Sequence, residues 1–133
     1  MSRPLPASAA KAPDPRHVRG LEGEEAAIAH LRALGWVLES HRFRFGRHDL
    51  DLVMRSGDLV AFIEVKTRSS PSTRFGAAAE AVGWRKRRIL DQGAAWWRRQ
   101  HGRPGDRYRF DVVEVYEAQG GFRVEHIPDA WRG

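Results

Sequence analysis

In the stretch AFIEVKTR, residues 61 to 68, an otherwise apolar run carries Glu64 and Lys66. Side chains two apart on a strand point the same way, so this acid and this amine lie side by side. Asp51 precedes Glu64 by 13 residues, in DLDLV. There Asp49 and Asp51 share one face, and Leu50 and Leu52 are expected to share the opposite, core-facing one. A short SGD turn between the two runs predicts a hairpin, which carries Asp51 to the Glu64–Lys66 segment. Further upstream, Glu24 precedes Ile28 by four residues and Leu31 by seven, on the apolar face of a predicted helix; Glu25 falls toward solvent. Glu24, Asp51, Glu64 and Lys66 therefore form one candidate cluster.

Two carboxylates on adjacent strands suit a hard divalent cation, Mg²⁺ or Mn²⁺, which prefers oxygen ligands and keeps several waters. Such an ion activates water and stabilises the charge that builds on a phosphate under attack. A neighbouring lysine orients the water or neutralises that charge. Without a cation the acids repel one another, which raises at least one carboxyl pKa. The plainer alternative is a strand-end ion pair between Glu64 and Lys66, a weak interaction when isolated. Glu24 has its own alternative, because acids near a helix N-terminus serve the helix dipole. The convergence of all four residues favours the site. The six histidines show no helical i, i+4 pair, which argues against zinc.

The elements that must position these residues are legible from periodicity. GLEGEEAAIAHLRALGW reads as a helix from Gly20 with a stop at Gly35, and WVLESHRFRF, DLDLVMR and LVAFIEVKTR read as strands. SSPSTRFGAAAE is loop-like. A second helix is expected from near Ala81 or Trp84 to about Gln100, and its surface carries RKRR, residues 85 to 88. YRFDVVEVY and FRVEHI complete the order α-β-β-β-α-β-β. The helical crossover from the third strand to the fourth predicts parallel neighbours in a mixed α/β sheet. Residues 1–18, rich in Pro and Ala without periodicity, are expected to be a disordered tail before a single domain over 19–133. Arg85, Lys86 and Arg88 read as a solvated helix face that could also meet phosphates. Trp96 and Trp97 read as core or as a dimer contact.

Arginine and lysine total 23 against 17 acids, a net charge of +6, and the sequence pI is about 10.7. That balance favours a polyanionic partner, DNA first. There is no cysteine, which excludes disulfides and thiolate metal sites. No apolar run is long enough to span a bilayer, and no secretory leader is evident, so a cytoplasmic location is expected.

GEEAAIAHLRALGW, DLDLV, AFIEVKTR, AVGWRK and YRFDVV occur in that order over roughly residues 20 to 115. This pattern resembles the YraN-type family of small bacterial proteins, within the PD-(D/E)xK superfamily. The resemblance implies a restriction-endonuclease-like fold, a mixed central sheet flanked by helices, similar in layout to archaeal Holliday-junction resolvases. It implies a metal-dependent endonuclease acting on DNA, including branched DNA. The alternative is an inactive nucleic-acid-binding or partner-docking module on the same fold. By resemblance Asp51, Glu64 and the backbone carbonyl of Val65 are metal ligands, Lys66 is the catalytic amine, and Glu24 is an auxiliary acid. Arg68, Lys86, Arg109 and Asp111 match recurrent family positions. We assign Arg68 to nucleic acid and Asp49, Arg109 and Asp111 to the surroundings of the site, with a structural ion pair the preferred role of the last two. The family usually reads Gly-Glu-Ile-Asp where this chain has His48-Asp49-Leu50-Asp51. A resolvase-like role would call for a two-fold dimer.

Overall fold

The computed structural model describes residues 15–68 and 82–132, with side chains from residue 19 onward. Helix α1 (Pro15–Ala33) is followed by strands β1 (Val37–Phe45), β2 (His48–Ser56) and β3 (Leu59–Arg68), helix α2 (Trp84–His101), and strands β4 (Arg107–Ala118) and β5 (Gly121–Trp131). The strands form one mixed sheet in the order β1-β2-β3-β4-β5. All neighbours are antiparallel except β3 and β4, which run parallel. A single helical crossover separates those two, as the sequence order requires.

Each helix buries one stripe, and each covers one face of the sheet. On α1, Glu24, Ala27, Ile28 and Leu31 are buried at helical spacing, and this helix lies on β3, β4 and β5. Its core partners include Leu52, Met54, Ala61, Ile63, Val113 and Val115. On α2, the buried stripe is Leu90, Gly93, Ala94 and Trp97, and this helix lies over β1 and β2. The core beneath it holds Phe45, Leu50, Val53, Val60, Phe62 and Val112. Trp97 donates its indole N–H to Ser40 Oγ at 2.8 Å, while Trp96 is exposed.

Two boundaries and one facing assignment differ from expectation. Helix α1 starts at Pro15, five residues before Gly20, because proline is well tolerated in a first helical turn. The rest of the expected tail, 1–14, and the loop-like stretch at 69–81 lie outside the described residues. Strand β5 continues to Trp131, beyond the expected FRVEHI, by pairing Trp131 with Phe110 across an irregularity in the ladder. Leu50 and Leu52 do not share a face: Leu50 joins the core under α2 and Leu52 the core under α1. Both faces of β2 are buried, so an apolar pair need not mark one side.

At Gly93, helix α2 closely approaches Phe45 of β1. A Cβ there would run into the Phe45 ring. Gly93→Ala is therefore expected to destabilise the protein by about 1–3 kcal/mol despite alanine's better helix propensity, read as a lower thermal midpoint.

Candidate active site

The break in β2 that separates Leu50 from Leu52 also frees the half-buried Asp51 from the regular ladder. The β2–β3 ladder runs from Ser56↔Leu59 only as far as Leu52↔Ile63. Beyond it the strands part, and Asp51 Oδ2 accepts the Val65 N–H at 2.9 Å in place of a backbone carbonyl. Opposite Asp51, between the pairs His41↔Leu52 and Phe43↔Leu50, stands Arg42 with φ of 56°, left-handed backbone that is rare for a side-chain-bearing residue. This turn lets consecutive residues reach the same acid. His41 Nε2 lies 2.7 Å from Glu24 Oε1, and Arg42 donates to both Glu24 oxygens, at 3.0 and 2.8 Å.

Glu64 lies two residues beyond Phe62, on the face covered by α2. Its side chain is buried, and both Lys66 Nζ (3.7 Å) and Lys86 Nζ (3.8 Å) approach Oε1. Glu64 Oε2 is buried with no hydrogen-bond partner among the described residues. An orphaned carboxylate oxygen costs free energy unless a cation or donor meets it. Burial pushes the Asp51 carboxyl up to about 8, helped by the negative charge of Glu64 and, more weakly, of Glu24; the Val65 N–H and Lys86 pull the other way. Asp51 and Glu64 thus share one electrostatic environment, with Glu24 behind them and two of the chain's three lysines in front.

The remaining sequence candidates divide. Val65 packs its side chain toward the α1 core, so only its backbone can serve the site. Lys86 reaches Glu64, but Arg85 and Arg88 are solvent-exposed and flank the exposed Trp84, their guanidinium carbons 5.5 and 6.0 Å from its ring centre. Arg68 pairs with buried Glu114, at 3.3 Å. Asp49 lies 3.8 Å from Arg44 and adds to the field on Arg42. His48, in place of the family's glycine, is exposed beside Phe45.

Arg109 and Asp111 are not brought to Asp51 or Glu64. Asp111 sits opposite Ile63, one strand position from Glu64 but on the other face. There it is fully buried and receives Arg109 at 2.7 and 2.8 Å and the Asp129 N–H at 2.9 Å, with His126 Nε2 2.6 Å away. Burial pushes its carboxyl up, but the bonds from His126, Arg109 and Asp129 prevail and hold it below the usual range.

Three residues of this neighbourhood are not among the sequence candidates: His41 and Arg42, which hold Glu24, and Glu114. The last is fully buried and pairs in register with Lys66. Its signal was present in DVVEVY, where an acid interrupts an apolar strand just as Glu64 does. Among the described residues no three acidic or histidine side chains converge closely enough to cage a metal.

A five-stranded mixed sheet with helices on both faces, in the order α-β-β-β-α-β-β, has the layout of a restriction-endonuclease-like α/β fold. Residues 23–115 match the model of the Uncharacterised protein family UPF0102, and the chain belongs to that family. It is 42% identical to a UPF0102 protein of Frankia casuarinae over 113 residues, covering 84% of this chain and 94% of that one. It is 40% identical to a UPF0102 protein of Halorhodospira halophila over 119 residues, 90% of each chain. A UPF0102 protein of Anaeromyxobacter dehalogenans is 38% identical over 120 residues, 90% of this chain and 88% of that one. Among the described residues, no helix is long and apolar enough to cross a membrane.

Proposed function

We propose that this protein is a divalent-metal-dependent endonuclease that hydrolyses phosphodiester bonds in DNA, branched or otherwise structured DNA included. The observation that carries the reading is the orphaned, buried Glu64 Oε2 beside an Asp51 that its surroundings keep from ionising freely. Asp51, Glu64 and the Val65 carbonyl would hold Mg²⁺ or Mn²⁺, oxygen donors that suit either ion. When bound, such an ion lowers the pKa of water and stabilises charge on the scissile phosphate. Lys66 donates to a phosphate oxygen or holds the attacking water, and Lys86 adds a second positive charge from α2. Glu24, fixed by His41 and Arg42, keeps a negative charge behind Asp51 and restrains the strand fork. Arg85 and Arg88 contact flanking phosphates, and Arg68 stands at the same end of β3. The net charge of +6 supports a DNA partner. A two-fold pair of chains would address two strands at once.

The test is cleavage of linear, flapped and four-way DNA with Mg²⁺ or Mn²⁺. Metal-dependent product that disappears in EDTA and in Lys66→Ala is expected. Folded protein that cuts none of these substrates contradicts the reading.

A second reading rests on the two lysines already beside Glu64, which compensate its charge without metal. It is a nucleic-acid-binding module without turnover. Salt-sensitive DNA binding, unchanged by EDTA and by Lys66→Ala, would favour it.

A further inference from the structure

Helix α2 packs mainly over β1 and β2, and a cavity of about 650 Å³ lies beside it, against residues of β3, β4 and β5. Its wall is the side of α2 that presents Asp91 and, two turns on, Arg98; its floor includes Tyr108, Phe110 and Trp131, and Arg132 stands at the rim. It is separate from the acid cluster. Phe62 lies in the floor and Glu64 is two residues further along β3 on the same face, about 7 Å away by strand geometry.

Two polar groups here lack a hydrogen-bond partner among the described residues. Asp91 Oδ1 is buried without a partner among the described residues, and so is the Trp131 indole N–H, in a residue only 6% exposed. Burial pushes the Asp91 carboxyl up. Unpaired groups of this kind are uncommon in native proteins and call for a partner. The cationic side is only lightly engaged. Arg98 has no acidic partner among the described residues and lies over the Tyr108 ring at 4.3 Å. Among the described residues Arg132 pairs with Asp129 alone, in an exposed pair that can re-pair at little cost.

An occupant must offer hydrogen-bond donors to a carboxylate, a flat face to an arginine and aromatic wall, and an anion to arginines. We propose that the cavity is a subsite for one unpaired guanine nucleotide. A carboxylate accepts two adjacent donors, and guanine presents N1–H and N2–H₂ together on its Watson–Crick edge; the other bases offer a single donor group there. The guanidinium of Arg98 supplies a stacking plane, and Arg98 and Arg132 receive the phosphate. The volume lies in the range of small-molecule sites. The chemistry is shared by a free nucleotide and by a base extruded from a strand. Only the second assignment, a substrate contact beside the acids, rests on the nuclease reading.

The test is NMR of the ¹⁵N-labelled full chain in EDTA, following the Trp131 indole signal. The probes are guanosine 5′-monophosphate, adenosine 5′-monophosphate, inorganic phosphate, and short single-stranded DNAs with one guanine or none. Guanosine monophosphate is expected to shift that signal saturably and to bind at least tenfold more tightly than phosphate. Asp91→Asn should weaken it about tenfold while leaving phosphate unchanged, and Arg98→Ala should weaken both. Tighter binding of the guanine-bearing strand than of the mononucleotide assigns a strand subsite; the reverse assigns a free nucleotide. Guanosine monophosphate that binds no better than phosphate, or equally well to Asp91→Asn and Arg98→Ala, overturns the proposal. Because no metal is present and Asp51→Asn should still bind, failure here leaves Asp51-dependent cleavage standing. Binding without cleavage removes the nuclease reading alone.

Discussion

Replacing Asp51 by asparagine is expected to lower metal-dependent cleavage by about 10³-fold or more and, without metal, to make the protein more stable. The loss follows from removing one of two carboxylates that would hold the ion, whose contribution to the barrier is several kcal/mol. The gain follows from the apo cluster. The Asp51 carboxyl is raised to about 8, from burial first and Glu64 second. A carboxyl raised on folding binds more protons in the folded state, so the contribution of Asp51 to stability is greatest below about pH 4 and declines as pH rises toward 8. Asp51→Asn removes that decline. At pH 8 its thermal midpoint should exceed the wild type's by about 5 °C, a shift typical of relieving a strained functional site. Added Mn²⁺ should raise the wild-type midpoint, more strongly at higher pH because binding displaces a proton, and should not move the variant. Glu64→Ala should match Asp51→Asn in lost activity. Its stability is less favoured, since it leaves Lys66 and Lys86 without their shared acid.

Asp111→Ala is expected to have the opposite signature, a large loss of stability that metal does not rescue. Asp111 is fully buried and gathers Arg109, His126 and the backbone of β5 on the face away from the acid cluster. Removing one partner of such a pair strands the other and costs about 3–5 kcal/mol. Calorimetric unfolding checks it. Because the folded carboxyl is held below the usual range, its contribution is present above about pH 4 and lost as pH falls further. The wild-type advantage over Asp111→Ala should therefore shrink in acid. A variant that unfolds at the wild-type temperature would make Asp111 dispensable to the fold.

Much of this arrangement is legible in the sequence. Periodicity placed all five strands and both helices, and the crossover forced β3 and β4 into parallel register. The misreadings share one cause, which is that contacts from other elements decide them. Leu50 and Leu52 looked like one face because alternation assumes an unbroken strand; the fork at Asp51 and the left-handed Arg42 opposite it reverse the phase. Nothing in HRFRF announces that turn. By contrast, helix phase could have divided RKRR. Lys86 is four residues before Leu90 and on the buried stripe, whereas Arg85 and Arg88 fall off it. Glu114 was also legible, by the same oddity that singled out Glu64. The Arg109–Asp111 pair was visible as an i, i+2 pair, but His126 and Asp129 come from β5, whose register the sequence does not state.

The most direct test of the central claim, that Asp51 and Glu64 form a cation site, is anomalous diffraction from crystals soaked in Mn²⁺. A single strong peak between the two carboxylates, within bonding distance of the Val65 carbonyl and absent in Asp51→Asn, is the predicted result. Ordered side chains with no peak there, at Mn²⁺ concentrations that saturate ordinary carboxylate sites, would contradict it.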